Sequence, residues 1–284
     1  MVCLVCLNYN DYETTQCFIQ SILQFDSIDK IIVVDNCSTD NSFERLNALF
    51  GNDNKVDIIQ TNYNGGYSYG NNRGIEHAIQ HYSPEYLIIS NPDVIFENSI
   101  VSSMLDVMAE DEKTAVVTCK MLDRNQNISK LCYWSLPQSW FKESLSYLFR
   151  SSKTNCSFSE SGICDVEVVP GSFFAIRAKA LKDVGFFDEG TFLYYEENIL
   201  AYGLKKLGYK TKIIMDQTFI HNHSVTINKS LKKIRQFKTL MKSSEYYWKK
   251  CFRISTFSLF LVKIMHAIAI IERRLFYAFK NSKK

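Results

Sequence analysis

Three groups of side chains in this sequence could do chemistry. Asp93 closes the tripeptide Asn91-Pro92-Asp93. A carboxylate there can bind Mg2+ or Mn2+, hard cations that prefer oxygen ligands, although the same tripeptide also makes an ordinary turn. Glu196 and Glu197 are adjacent acids. Such a carboxylate can take a proton from a hydroxyl within hydrogen-bond reach, and acids also favour a helix N-terminus for purely electrostatic reasons. Successive helical residues point about 100° apart, so only one of the two can face a ligand squarely. His221 and His223 flank Asn222, and either imidazole could complete a metal site or touch a phosphate. A structural histidine is the plainer alternative.

The elements that would position these groups alternate strand and helix. Val2–Leu7, Lys30–Asp35, Val56–Gln60, Glu85–Ser90 and Thr114–Lys120 are short, largely apolar runs that predict strands. Between them, Asp11–Phe25, Thr39–Phe50, a segment ending near Tyr82, and Ile100–Ala109 have helical spacing. Repeated β-α units of this length predict an α/β fold, a mostly parallel central sheet with helices on both faces. Ligands bind such sheets at the carboxyl ends of the strands. There the sequence places Asn8-Tyr9-Asn10, Asp35-Asn36, Asn62–Gly66 and Asn91–Asp93, four polar clusters for one cleft. Residues 121–165 have weak periodicity and several aromatics, including Tyr133, Trp134, Trp140 and Phe141, as expected of an acceptor-facing insertion or a lid. Phe173–Arg177 and Lys210–Met215 predict two later strands, with a helix in the later part of Phe192–Leu207. Cys3 and Cys6 are three apart on the first strand, so they point to opposite faces and cannot jointly bind a metal.

The ordered segments VCLVCLNYN, IIVVDNCSTDNS, NYNGGYSYGNNRG, IISNPDV, GSFFAIR and GFFDEGTFLYYEENIL resemble family 2 of the inverting glycosyltransferases, across about residues 2–225. The likeness is nearest to the rhamnosyltransferase-like branch of bacterial surface-polysaccharide synthesis, which makes capsule or O-antigen. The resemblance implies a GT-A fold, a nucleotide-diphospho-sugar donor and inversion at the anomeric carbon. It implies Asp93 as the metal ligand, with Mn2+ or Mg2+ on the donor diphosphate, although the family often writes Asp-x-Asp where this chain has only the final carboxylate. It implies Asp35 at the nucleoside, Asn8 and Tyr9 where the base packs, and Asn62, Gly65, Gly66, Asn72, Arg73 and Asn91 around the donor. Glycine allows close backbone approach there. Glu196-Glu197 resembles the family's acidic pair, with Glu197 as general base, one carbon longer than the usual Asp. His221 sits nearest the family's second metal position, and Ser172, Arg177 and His223 are expected near acceptor or diphosphate. A dTDP- or UDP-sugar donor and a glycan or polyprenyl-linked glycan acceptor follow by the same implication.

The charge divides the chain at about residue 228. Residues 229–284 hold 15 Lys and Arg against two acids, Glu245 and Glu272, leaving the first 228 residues with 18 bases and 28 acids. This predicts a catalytic domain over 1–228, with a nucleotide half to about 120 and an acceptor half beyond it, and a basic amphipathic helical tail over 229–284. Residues 254–271 have the length of a membrane span, but a central Lys such as Lys263 costs roughly 2.5–3.5 kcal/mol there. On a helical wheel Ser255, Lys263, His266, Arg273 and Lys280 share one face. The expectation is a helix lying in a membrane interface with these groups toward anionic headgroups; packing on the catalytic domain or in a homodimer is the alternative. The acidic body speaks against nucleic acid as the partner. The absence of a glycine-rich loop after the first strand argues against a nucleotidyltransferase and a NAD-dependent dehydrogenase; a non-catalytic scaffold of the same fold is the other rival. Scattered cysteines and a start without a signal-peptide pattern predict a cytoplasmic protein on the inner face of the membrane.

Overall fold

The computed structural model describes residues 1–128, 135–149, 161–222 and 229–281. The chain runs through β1 (Val2–Asn8), α1 (Tyr12–Ile22), β2 (Lys30–Asp35), α2 (Ser42–Phe50), β3 (Val56–Gln60), α3 (Tyr67–Tyr82), β4 (Tyr86–Ser90), β5 (Val94–Ile95) and α4 (Asn98–Ala109). It continues through β6 (Thr114–Asp123), α5 (Trp140–Phe149), β7 (Ile163–Val166), β8 (Phe173–Arg177), α6 (Ala178–Val184), α7 (Glu196–Lys206), β9 (Lys210–His221), α8 (Lys229–Cys251) and α9 (Thr256–Asn281).

One sheet has the order β3-β2-β1-β4-β8-β6-β9-β5, with β7 pairing β9. β1 to β4 pair in parallel. β8 enters antiparallel between β4 and β6, and β9 then pairs parallel with β6. Six described strands therefore point one way, and β5, β7 and β8 point back. The central strands are buried on both faces, which explains why VCLVCLN and KIIVVD read as continuous apolar runs. Cys6 packs with one face, against α1, α2 and α4; Cys3 packs with the other, against α3, α6 and α7. The expected mostly parallel sheet with helices on both faces is what forms.

Two strands run further than the sequence predicts. β6 reaches Asp123 and β9 reaches His221, past a register shift at Cys119/Lys120. His221 is thus a strand residue opposite Val94 and Asp123, not part of an irregular segment beyond a strand.

The tail is a helical hairpin. Arg273 lies over the Phe237 ring at 3.8 Å, and His266 Nδ1 is 3.2 Å from Glu245, so α8 and α9 run antiparallel. Tyr247 and Trp248 of α8 are fully buried in a cluster with Tyr195 and Ile199 of α7. α5, from the weakly periodic region, packs under α9, with Ser144 3.5 Å from His266 Nε2. One sequence expectation is overturned here. His266 is buried, and both it and Arg273 turn toward the protein, so the polar face of α9 does not look outward to headgroups. Lys263 alone of that set, apart from Ser255 at the helix start, is exposed; the Lys280 side chain lies outside the described residues. Among the described residues no helix is long and apolar enough to cross a membrane.

Candidate active site

The carboxyl ends of β1, β2, β3, β4, β6 and β9 lie on one edge of the sheet, together with the start of β8. Most of the residues singled out from sequence collect along this edge.

At the β1–β3 end the polar groups bind one another. Asn8 Nδ2 donates to Asp35 Oδ2 at 2.7 Å, and Thr15 Oγ1 donates to Asn8 Oδ1 at 2.8 Å. Asp35 Oδ1 accepts from the Ser38 backbone N–H at 2.9 Å and from Gln60 Nε2 at 3.3 Å. Asn8 and Asp35 are fully buried. Their direct role is to fix the strand ends, while Tyr9 and Asn62 beside them are exposed. Thr15, Ser38 and Gln60 complete this network without any sequence signal beyond their polarity.

Gly66 does need the freedom of glycine, and the group that approaches it is part of the protein. Its φ is +92°, and a Cβ would lie 2.1 Å from the Phe192 carbonyl oxygen. The close approach is made by the chain ahead of α7, which accepts the Tyr67 N–H at 2.9 Å. A Cβ on Gly65 would meet the Tyr69 ring. Asn72 and Arg73 likewise serve this docking. Asn72 bonds both backbone groups of Phe187, and Arg73 pairs with Glu189 at 2.7 Å.

At the β4 end, Asp93 Oδ1 lies 3.1 Å from His221 Nε2. The extended β9 makes this pair, and the Asn222 N–H donates to the Asp93 carbonyl at 2.8 Å. Among the described residues no group of three or more His, Cys, Asp or Glu side chains could hold a metal. His223 lies outside the described residues. The Asn91 N–H donates to the Ser172 carbonyl at 2.8 Å, which brings Ser172 to this edge. Its hydroxyl, however, is buried against Met121. Arg177 is a clear correction. It ends β8 opposite Tyr86, at the far end of β4 from Asp93, because β8 is antiparallel. Its guanidinium donates to the Met108 carbonyl at 2.6 Å, so it cannot meet acceptor or diphosphate.

The acidic pair opens α7 from an unusual backbone. Tyr194 (φ 72°) and Tyr195 (φ 70°) are both left-handed, a conformation that bulky residues adopt only when their surroundings force it. The forcing groups are visible. Tyr195 OH donates to Glu143 Oε1 at 2.5 Å, and Glu143 Oε2 also accepts from Trp248 Nε1 and Ser244. Sequence reasoning missed Glu143, because an acid in the first turn of a helix is an ordinary feature. Glu196 is buried and Glu197 half-buried, and the Oε2 atom of each is buried without a hydrogen-bond partner. Burial pushes the Glu197 carboxyl up to about 7, and burial plus the neighbouring Glu197 pushes Glu196 well above the carboxylate range. A Cβ on Gly171 would lie 3.9 Å from Glu197 Oε1 and 3.4 Å from Tyr67 OH, and that hydroxyl donates to the Gly171 carbonyl. Gly171 and Ser172 are consecutive, so one short segment joins the surroundings of Glu197 to those of Asp93. The arrangement sets an oxygen–nitrogen pair, Asp93 and His221, at one end and a carboxyl of raised pKa, Glu197, at the other.

The chain is 22% identical over 224 residues to the low-salt glycan biosynthesis hexosyltransferase Agl10 of Haloferax volcanii, covering 78% of this chain and 67% of that one. It is 24% identical over 208 residues to the poly-beta-1,6-N-acetyl-D-glucosamine synthase of Staphylococcus epidermidis, covering 72% of this chain but only 45% of that longer protein. Its fold resembles the crystal structure of GalNAc-T7 with UDP, GalNAc and Mn2+, with a TM-score of 0.63 at 15% identity over 88% of this chain and 48% of that one. Residues 2–185, from β1 past the end of α6 and well over half of the sequence, match the description of glycosyl transferase family 2, and to that family of glycosyltransferases this chain belongs.

Proposed function

We propose that the protein transfers a hexose from a nucleotide-diphospho-sugar to a hydroxyl of a glycan or lipid-linked glycan, with inversion, in the making of a cell-surface polysaccharide. The observation that carries the reading is the Glu197 carboxyl, whose Oε2 is buried without a hydrogen-bond partner and whose pKa burial raises to about 7, one short segment away from the Asp93–His221 pair. A general base works best with a pKa near the working pH. Glu197 takes the proton of the acceptor hydroxyl while that oxygen bonds to the anomeric carbon. The bond from that carbon to the diphosphate oxygen breaks on the opposite side, and the electron pair leaves with the nucleoside diphosphate.

Asp93 and His221 fit a divalent cation. One carboxylate oxygen and one imidazole nitrogen are 3.1 Å apart at strand ends, an oxygen–nitrogen set that suits Mn2+ and tolerates Mg2+. Two protein ligands leave positions for diphosphate oxygens and water, and the cation when bound neutralises the charge of the leaving diphosphate. The metal-bearing GalNAc-T7 structure supports this reading as an analogue. For the donor we infer a UDP- or dTDP-linked sugar. UDP rests on that same analogue, and dTDP-rhamnose on the resemblance to rhamnosyltransferases. The location we propose is cytoplasmic and peripheral to the membrane.

A thermal-shift panel of UDP, dTDP and GDP, each with and without Mn2+, tests this, because a ligand that binds the folded state raises its melting temperature. Stabilisation by one nucleoside diphosphate that requires metal is the expected result. Equal responses with and without metal would remove the role given to Asp93 and His221.

A further inference from the structure

The outer side of α9 carries a row of exposed apolar side chains. Phe257, Phe260, Ile264, Ile268, Ile271 and Leu275 of α9 are each between 40% and 70% exposed. At 100° per residue these six fall within an arc of about 80°, and the stripe they make is about 27 Å long. The opposite side of the helix, with Val262, His266 and Ala269, is buried against α5 and α8. α9 therefore turns its polar groups His266 and Arg273 inward and an apolar stripe outward. Scattered exposed apolar residues are ordinary, but a continuous stripe of six marks an interaction surface.

We propose that this stripe is the membrane-contacting face of the protein, lying in the interfacial layer of an anionic bilayer with α9 parallel to its plane. Charge selects the occupant. Lys263 and Arg274 are exposed on one flank of the stripe, about 40–60° from its edge. Arg253 before α9 and Lys233, Arg235, Lys242 and Lys249 of α8 are exposed as well. The two acids of the tail do not offset them at this surface. Glu245 is turned to His266, and Glu272, about 40° beyond the other edge of the stripe, is only partly exposed, with its Oε2 buried. Large side chains for the acyl boundary, flanked by cations for anionic headgroups, are the requirements of an interfacial helix. A second copy of the chain fits less well. A two-fold contact through the stripe would set two strongly basic tails against each other, and like charges facing across an interface oppose binding.

The orientation is the reverse of a simple helical wheel's, since His266 and Arg273 belong to the protein side. It also gives the proposed lipid-linked acceptor a surface on which to be met, and it stands independently of the role of Glu197.

The test is flotation of the full chain with vesicles of phosphatidylglycerol and phosphatidylcholine, or of phosphatidylcholine alone. The wild type and the control Leu49→Glu, which alters an exposed residue of α2, are expected to float with the anionic vesicles. The pair Phe260→Glu/Ile264→Glu is expected to lower that binding by about tenfold or more, with an unchanged melting temperature and an unchanged sedimentation coefficient. Ile268→Trp, which keeps the surface apolar, is expected to shift its fluorescence to the blue on adding anionic vesicles. Equal binding by the paired variant and the wild type would overturn the proposal, as would no binding by the wild type or no shift from the tryptophan. A wild-type dimer that the paired variant dissociates, without vesicle binding, would give the stripe to a second copy instead.

Discussion

The polar residues at the ends of β1–β3 and those at the start of α7 are treated in opposite ways by the fold. Asn8 and Asp35 are buried and answered by partners from Thr15, Ser38 and Gln60. Glu196 is buried and Glu197 half-buried beside it, and each has one buried oxygen, Oε2, that nothing answers. A satisfied buried network adds rigidity, whereas an unpartnered buried carboxylate costs stability and shifts its own pKa. On the proposed function, the first region is scaffold for the donor site, and the second holds an unfavourable arrangement where the acceptor proton would move. Tyr194 and Tyr195 carry the same cost in the backbone, and the Glu143 hub anchors it.

The largest expected effect breaks the second region. Glu197→Gln should lower transfer by roughly 10²–10⁴-fold, the usual contribution of a general base, with donor affinity unchanged in a calorimetric titration. The same variant should be more stable than wild type above neutral pH. Glu197 in the folded protein holds its proton to about pH 7, while the unfolded chain releases it near 4.5. Between those values the unfolded state binds fewer protons, so stability falls as pH rises, by up to about 3 kcal/mol for this group. Glutamine removes that loss, and denaturant melts at pH 5 and pH 8 would show it.

Next in size, Asp93→Ala should abolish the metal-dependent part of donor binding, measured with and without Mn2+, while stability changes little. Asp35→Ala should do the reverse of Glu197→Gln. It removes the acceptor of the Ser38 N–H and of Gln60 Nε2 and leaves Asn8 Nδ2 only Ser38 Oγ at 3.2 Å, and should cost about 1–3 kcal/mol of stability in a denaturant melt. If both carboxylate variants moved stability in the same direction, the contrast between the two regions would fail. Arg177→Ala should have the smallest effect on transfer, close to none, because its guanidinium is tied to Met108 at the far end of the sheet.

The parallel half of the fold was legible in the sequence because β-branched runs such as KIIVVD end in polar clusters, and both features follow from burial on two faces. Asp93 and His221 stand out in the sequence as residue types, yet His221 reaches its place beside Asp93 through an extension of β9 past a register shift, which no periodicity announces. The direction of β8 was not legible either, since an apolar strand looks the same run both ways, and Arg177 was placed at the wrong end for that reason. The resemblance of the Asn62–Gly66 loop to the family's donor loop points to close approach of a ligand at Gly66, where the structure shows the Phe192 carbonyl approaching. In α9 a helical wheel found the polar face but not which side the body covers, because that is decided by α5 and α8. Glu143 was invisible because its partners come from α7 and α8, about 50 and 100 residues away.

The central claim is that the buried acidic pair is the proton acceptor. It is tested most directly by the pH dependence of kcat/KM for nucleoside diphosphate release from the preferred donor and acceptor, in wild type and Glu197→Gln. The account predicts that the wild-type rate rises with pH through an apparent pKa near 7, and that the variant has a low rate without this limb. A variant that keeps the wild-type rate and the wild-type limb would contradict it.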